Sequence, residues 1–183
     1  MIPYMPKKSK EIYKEKIAHR GFHLSFPENT LPAYIEAINK NLAIELDIRM
    51  TKDGHIICLH DRYTRRLLGN KGKTSDYYFK DISLLNVLES NEKVPTLADV
   101  LDLVKGKTTL LIEVKGFFSD KFKEKLINEL KSYEGKIYFH AKNIITYFKL
   151  KSIWDDKVFW VLNPLRKRFN FIKTRNYRKI SSE

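Results

Sequence analysis

Glu45 and Asp47 stand two apart at the start of the run ELDIRMTKDGHIICLHD (45–61), and His60-Asp61 closes it. Alternate residues of a strand share a face. The two acids therefore point one way, while Ile44, Leu46 and Ile48 point the other. LLIEVK (110–115) repeats the pattern, with Glu113 and Lys115 opposite Ile112 and Val114, and KIAHRG (16–21) carries His19 and Arg20 near its end. Glu45, Asp47 and Glu113 are three hard oxygen donors, a set that suits one divalent cation, Mg²⁺ or Ca²⁺, and not a soft metal. Arg20 and Lys115 are cations able to hold a phosphate, the arginine bidentately. His19 and His60 are two proton-transfer groups with ordinary pKa values near neutrality. Together these are the parts of phosphoryl-ester chemistry. Each has a plain structural reading alone: a strand-end histidine, a turn, a carboxylate paired with a helix lysine. Their ordered recurrence on strands that should carry aliphatics marks a site. His23, His55 and His140 fall off this pattern or on turns and are expected to be structural.

Something must bring those strands side by side. Strands are expected at 16–21, 42–50, 55–61, 108–116, 136–141 and 157–163. Helices are expected between them. PENTLPAYIEAINKN (27–41) has a cap at Asn29 or Thr30, Pro32 in its first turn, and Leu31, Tyr34, Ile35 and Ile38 on one face. PTLADVLDLVKGK (95–107) opens with Thr96 and Asp99 in capping-box spacing. Two more helices are expected at 119–135 and 143–156. TKDG (51–54) reads as a hairpin turn, and the polar stretch 62–93 as an insertion after the third strand. Alternating strands and helices imply a parallel α/β sheet, whose sites gather at the C-terminal strand ends. About six strands are present, where a closed barrel needs eight.

The chain has 183 residues, 43% of them hydrophobic, enough for one folded domain. Its single cysteine, Cys58, lies in an apolar strand, so no internal disulfide can form, and it reads as a small buried hydrophobe. The N-terminal stretch shows no apolar core of a signal peptide, and no run is long enough to span a bilayer, so a cytoplasmic protein is expected. A net charge of +13 favours anionic partners. Basic residues cluster in a segment at 1–15 and a tail at 164–183, the latter suited to an anionic membrane surface. No zinc spacing, RNP-like segment or helix-turn-helix signal accompanies the charge, so nucleic acid is not the expected partner.

HRGFHLSFPENT, ELDIRMTKDGHIICLHD, PTLADVLDLVKGK and LLIEVK, in this order, resemble the glycerophosphodiester phosphodiesterases. The likeness runs from about residue 16 to 115 and more weakly to about 163. It implies a TIM-type β/α barrel over 16–163, a divalent cation, and hydrolysis of glycerophosphodiesters to glycerol 3-phosphate and an alcohol, in lipid metabolism. It implies catalytic roles for His19 and His60, metal ligation by Glu45, Asp47 and Glu113, and phosphate contacts from Arg20 and Lys115. Asn29 would support the loop, and Glu28 would stand behind the site. The sequence departs from the family where His140-Ala141 replaces the usual Ser-Phe of the fifth strand. It also lacks the family's last third, so an incomplete barrel of about six β-α units is expected, with self-association across its open edge. The alternative is a catalytically degenerate relative that binds phosphate or a membrane surface.

Overall fold

The computed structural model describes residues 7–160 and 170–172. Short aliphatic runs form seven strands: β1 (Lys16–His19), β2 (Ala43–Met50), β3 (Ile56–Cys58), β4 (Leu110–Val114), β5 (Ile137–Ala141), β6 (Val158–Trp160) and β7 (Asn170–Ile172). Six run parallel, in the order β6-β5-β4-β2-β1-β7. This is an incomplete TIM-type barrel, six staves where closure takes eight.

The six staves are not the six expected. The Thr51–Gly54 turn reverses the chain, so β3 pairs antiparallel with the far end of β2, Ile48 opposite Cys58. It is a hairpin arm rather than a stave. The sixth stave is β7, from the segment expected to be a basic tail, and it adds in parallel to the free side of β1. The rest of that tail lies outside the described residues, as do residues 161–163 of the sixth expected strand.

The helices are α1 (Leu31–Asn39), α2 (Arg65–Leu68), α3 (Phe79–Ile82), α4 (Leu97–Val104), α5 (Asp120–Leu130) and α6 (Ile144–Trp154). α1, α4, α5 and α6 cover the convex side of the sheet. There Tyr34, Val100, Phe122, Leu126 and Leu150 join Ile44, Leu46, Ile48, Ile112 and Phe139 in the main core. The Thr96–Asp99 capping box of α4 forms as expected, and Ser119 and Asn143 cap α5 and α6. The buried face of α1 is Ala33, Tyr34 and Ala37, with Ile35 turned outward at 43% exposure. Two alanines let this helix lie close to the sheet, which rotates the bulkier isoleucine away.

The concave side holds a second cluster: Ile17, Ala43, Leu111, Tyr138 and Phe159, one from each of five staves, plus Ile12. Ile12 comes from a 3₁₀ helix at Lys7–Lys14 and is wholly buried. Part of the N-terminal basic segment thus plugs the floor of the half-barrel. The insertion 62–93 carries α2 and α3, and Leu67, Leu68, Ile82 and Val87 pack with Ile57, Leu59 and Val94 in a small core of their own.

Gly21 joins β1 to the loop before α1. Its φ is +79°, and an added Cβ would meet the Ala33 backbone at 2.9 Å. Gly21→Ala is therefore expected to cost about 2 kcal/mol or more, from left-handed strain plus steric overlap. A denaturant midpoint unchanged from wild type would refute this.

Candidate active site

The concave faces of four neighbouring staves carry the polar groups directly above the apolar floor. Parallel register sets them in rows: His19 opposite Glu45, Asp47 opposite Glu113, and Glu113 opposite His140. Glu45 and Asp47 are fully buried, and Glu113 and His140 are 4% exposed. Carboxylates this deep need partners.

Two cations supply them. Arg20, at φ +60°, donates its backbone N–H to Glu45 Oε2 at 2.8 Å. Its guanidinium lies 3.2 Å from Asp47 Oδ2 and 2.9 Å from Glu28 Oε1. Lys115 Nζ sits 2.6 Å from Glu113 Oε1 and 3.1 Å from Asp47 Oδ1. Burial alone would raise the Asp47 pKa. Lys115 and Arg20 outweigh it and hold the carboxyl well below its usual range. Burial likewise opposes the Lys115 charge, yet Asp47 and Glu113 keep its pKa above the ordinary lysine value. Glu113 also stays ionised against burial, through His140, Lys115 and Lys142.

Asn29, expected as a cap or a loop support, ties the loop to β2. Its Oδ1 accepts from the Asp47 N–H and from the Tyr34 hydroxyl, while its Nδ2 donates to Asp47 Oδ2 at 3.1 Å. Thr30 occupies the N-cap position of α1, but its hydroxyl bonds Pro27 O instead of the helix.

His60 follows β3 by two residues and is fixed from two sides. Its Nδ1 lies 2.7 Å from Asp61 Oδ1, and its carbonyl accepts from Arg49 Nε and Nη2 at 3.0 and 2.7 Å. Asp61 accepts from Arg66 of α2, and Arg66 reaches on to Glu28 at 2.8 Å. An unbroken chain therefore runs from the His60–Asp61 hydrogen bond through the ion pairs of Asp61, Arg66 and Glu28 to Arg20 and Asp47. His19 ends β1, half-buried, with its ring edge-on to Phe171 of β7 at 5.4 Å between centroids.

All seven residues singled out in the sequence lie at the C-terminal end of the sheet, on or beside β1, β2, β4 and the loop after β3. His140 was missed. Its Nε2 lies 3.3 Å from Glu45 Oε1 and 3.6 Å from Glu113 Oε2. Strand parity sets Tyr138 and His140 on one face, opposite Ile137, Phe139 and Ala141, and the register beside β4 brings His140 to Glu113. His55 is structural as expected, pairing with Asp53 on the hairpin turn. Arg49 and Arg66 were also missed, and only the folded path of 59–66 brings them to His60.

Glu45, Glu113 and His140 each present a ligand atom, all within 4.8 Å of one another. Asp47 is not in that cluster, and its Oδ1 faces Lys115 Nζ at 3.1 Å. Two buried carboxylates and an imidazole fit a hard divalent cation.

Fold and site together define a β/α half-barrel that gathers carboxylates, fixed cations and imidazoles at the C-terminal ends of its strands. Residues 19–179 match the glycerophosphoryl diester phosphodiesterase family, and the chain belongs to it. A glycerophosphodiester phosphodiesterase of Caldanaerobacter subterraneus is 34% identical over 151 residues, covering 77% of this chain and 60% of that protein. One from Bacillus subtilis is 34% identical over 158 residues, covering 75% of this chain and 53% of its own. The chain thus spans a little over half the length of these two relatives. Among solved structures, an Oleispira antarctica phosphodiesterase in complex with the product sn-glycerol-3-phosphate superposes with a TM-score of 0.72 at 20% identity, covering 84% of this chain and 70% of that one. A glycerophosphodiester phosphodiesterase of Agrobacterium tumefaciens gives 0.67 at 23%, covering 76% and 62%.

Burial pushes the His60 pKa below the ordinary imidazole value, and Lys115 and Arg20 add to that, while Asp47 and Asp61 oppose it. By NMR titration in chelator, the His60 ring should titrate below pH 6.5. Asp61→Asn removes a carboxylate that favours the charged ring, so it should lower the midpoint further. An upward shift in that variant would contradict the arrangement. The unfolded chain binds this proton more readily than the native one, so His60 contributes to stability above about pH 6.5 and that contribution is lost on acidification.

Proposed function

We propose that the chain hydrolyses glycerophosphodiesters to glycerol 3-phosphate and an alcohol, using one divalent cation, Mg²⁺ or Ca²⁺. The observation that carries this reading is the convergence of buried Glu45 and Glu113 on the His140 imidazole, with Asp47 buried alongside on Arg20 and Lys115, at the working end of a family barrel. Glu45, Asp47 and Glu113 would hold the cation, with His140 as a further ligand. When bound, such an ion supplies Lewis-acid polarisation of a phosphoryl oxygen and acidifies the attacking hydroxyl.

The chain's own residues do the rest. Arg20 and Lys115 orient the phosphodiester and balance charge that builds on its oxygens. Asp61 accepts the proton on His60 Nδ1, which leaves Nε2 free to accept one. Its lowered pKa favours the neutral ring. His60 is thus suited to take the proton of the attacking hydroxyl, from water or the glycerol moiety, as the new P–O bond forms. His19 protonates the departing alkoxide as the old bond breaks. Where the glycerol hydroxyl attacks first, water then opens the cyclic ester with the two roles exchanged.

Among the described residues no helix is long and apolar enough to cross a membrane. The composition supports a cytoplasmic protein, and the basic tail supports peripheral contact with anionic lipid near a lipid-derived substrate. The single-sided pairing of β6 and β7 among the described strands supports self-association at the open edge.

Release of glycerol 3-phosphate from glycerophosphodiesters should require Mg²⁺ or Ca²⁺ and stop with chelator. Glu45→Ala should abolish it, and His60→Ala should lower kcat by about 10²–10⁴-fold. Absence of turnover in a folded, metal-loaded chain would overturn the proposal. His140→Ala should weaken the rise in Tm that the cation gives the wild-type protein, because it removes one donor. An unchanged rise would remove His140 from the ligand set.

A further inference from the structure

A cavity of about 540 Å³ opens beside the site, sharing Lys115 with it. Its wall contains Arg49, Arg62 and Lys115, and no carboxylate lines it. Ser119 and Asn143, the caps of α5 and α6, lie on the same wall, so two long helices present their positive ends there. Phe117 stands at its edge, 83% exposed. The volume is that of a small-molecule pocket.

The three cations are differently committed. Lys115 is shared with the buried carboxylates. Arg49 spends Nε and Nη2 on the His60 carbonyl, and its Nη1 lies over Gly116 at the cavity. Arg62 is exposed, and neither arginine forms an ion pair within 4 Å among the described residues. A concave wall bearing guanidinium groups outside ion-pair distance of any described carboxylate, together with helix N-termini, attracts an anion and repels a cation.

Resting on the hydrolase reading above, we infer that this cavity is the subsite for the alcohol portion of the diester, and that it selects an alcohol bearing a second phosphate. The scissile phosphate sits against Arg20 and Lys115. The alcohol then extends past Lys115 into the cavity, where its own phosphate meets Arg49 and Arg62. The chemistry broken is unchanged: water adds across one P–O bond, and the phosphorylated alcohol leaves with the proton from the histidine. Alcohols carrying a quaternary ammonium face like charge and are disfavoured.

The test compares kcat/KM on glycerophosphoglycerol, the same compound with a terminal phosphate, and glycerophosphocholine, with wild type and Arg62→Glu. The wild type should prefer the phosphorylated compound to the neutral one by about tenfold or more, with the choline ester poorest. Arg62→Glu should erase that preference by raising KM for the phosphorylated compound alone. A glycerol phosphate oligomer, whose second phosphate is an internal diester, shows by its rank against the terminal monoester whether the substrate is polymeric or a phosphorylated small alcohol. Either rank supports the subsite if both exceed the neutral compound. Equal turnover of all the diesters, or a preference that survives Arg62→Glu, overturns the inference and leaves the hydrolase reading standing. If no diester is cleaved, that reading fails, and calorimetric binding of the same compounds in chelator decides the subsite. About tenfold tighter binding of the phosphorylated compound, lost in Arg62→Glu, supports it, and equal affinities refute it.

Discussion

Everything at the working end of this protein follows from three carboxylates with almost no access to water. Glu45, Asp47 and Glu113 occupy positions where a structural strand would carry valine or leucine. Taking an ionised carboxylate out of water costs several kcal/mol even after relaxation. Arg20, Lys115 and the half-exposed Lys142 offset that cost. Glu45 and Glu113 nonetheless converge on one imidazole. An array of buried carboxylates with converging lone pairs is poor as a stability device. It is well suited to receiving a cation and then a phosphate, each of which relieves what the other would leave unbalanced.

The surrounding structure reads as support for that array. The apolar floor of Ile17, Ala43, Leu111, Tyr138 and Phe159 fixes the staves below it. Asn29 bolts the loop before α1 to the backbone of Asp47. The insertion contributes by position, since Arg66 of α2 is the piece that joins Asp61 to Glu28. Arg66 is nearly half exposed, so its pairs are screened in part and their value is chiefly orientation. Two otherwise separate units, barrel and insertion, thereby hold one histidine at a constant place relative to the carboxylates.

Much of this was readable in the chain. Period-two alternation placed Glu45 and Asp47 on one face of their strand and Glu113 and Lys115 on one face of theirs, and the capping box at Thr96 located the start of α4. Alternation within a strand does not reveal register between strands, however. His140 joined the site only when β5 was set beside β4, Glu113 opposite His140. Nor does alternation give strand direction. The apolar run 55–61 looks like a stave, and only the tight Thr51–Gly54 turn makes it an antiparallel arm. Arg66 was illegible for a related reason, because it acts through a loop path that no local pattern encodes, whereas Arg49 shares the parity of Glu45 and Asp47 and only its bond to the His60 carbonyl depends on that path. β7 lies in a stretch dominated by basic residues, where charge masks a three-residue strand whose formation depends on the free edge of β1.

Strand order also bears on how a half-barrel can keep a complete site. The staves that carry the polar rows are β1, β2, β4 and β5, and in the order β6-β5-β4-β2-β1-β7 each of them is paired on both sides. Among the described parallel staves, the two paired on one side, β6 and β7, carry no charged member of the site. Among those staves, incomplete closure therefore leaves single-sided backbone at ones on which the carboxylate geometry does not depend. β7 contributes more than an edge, since pairing with β1 brings Phe171 against His19 and gives that histidine an apolar wall. A short strand from a basic segment thus does two things that closure would otherwise do: it satisfies the outer side of β1, and it shields the His19 ring.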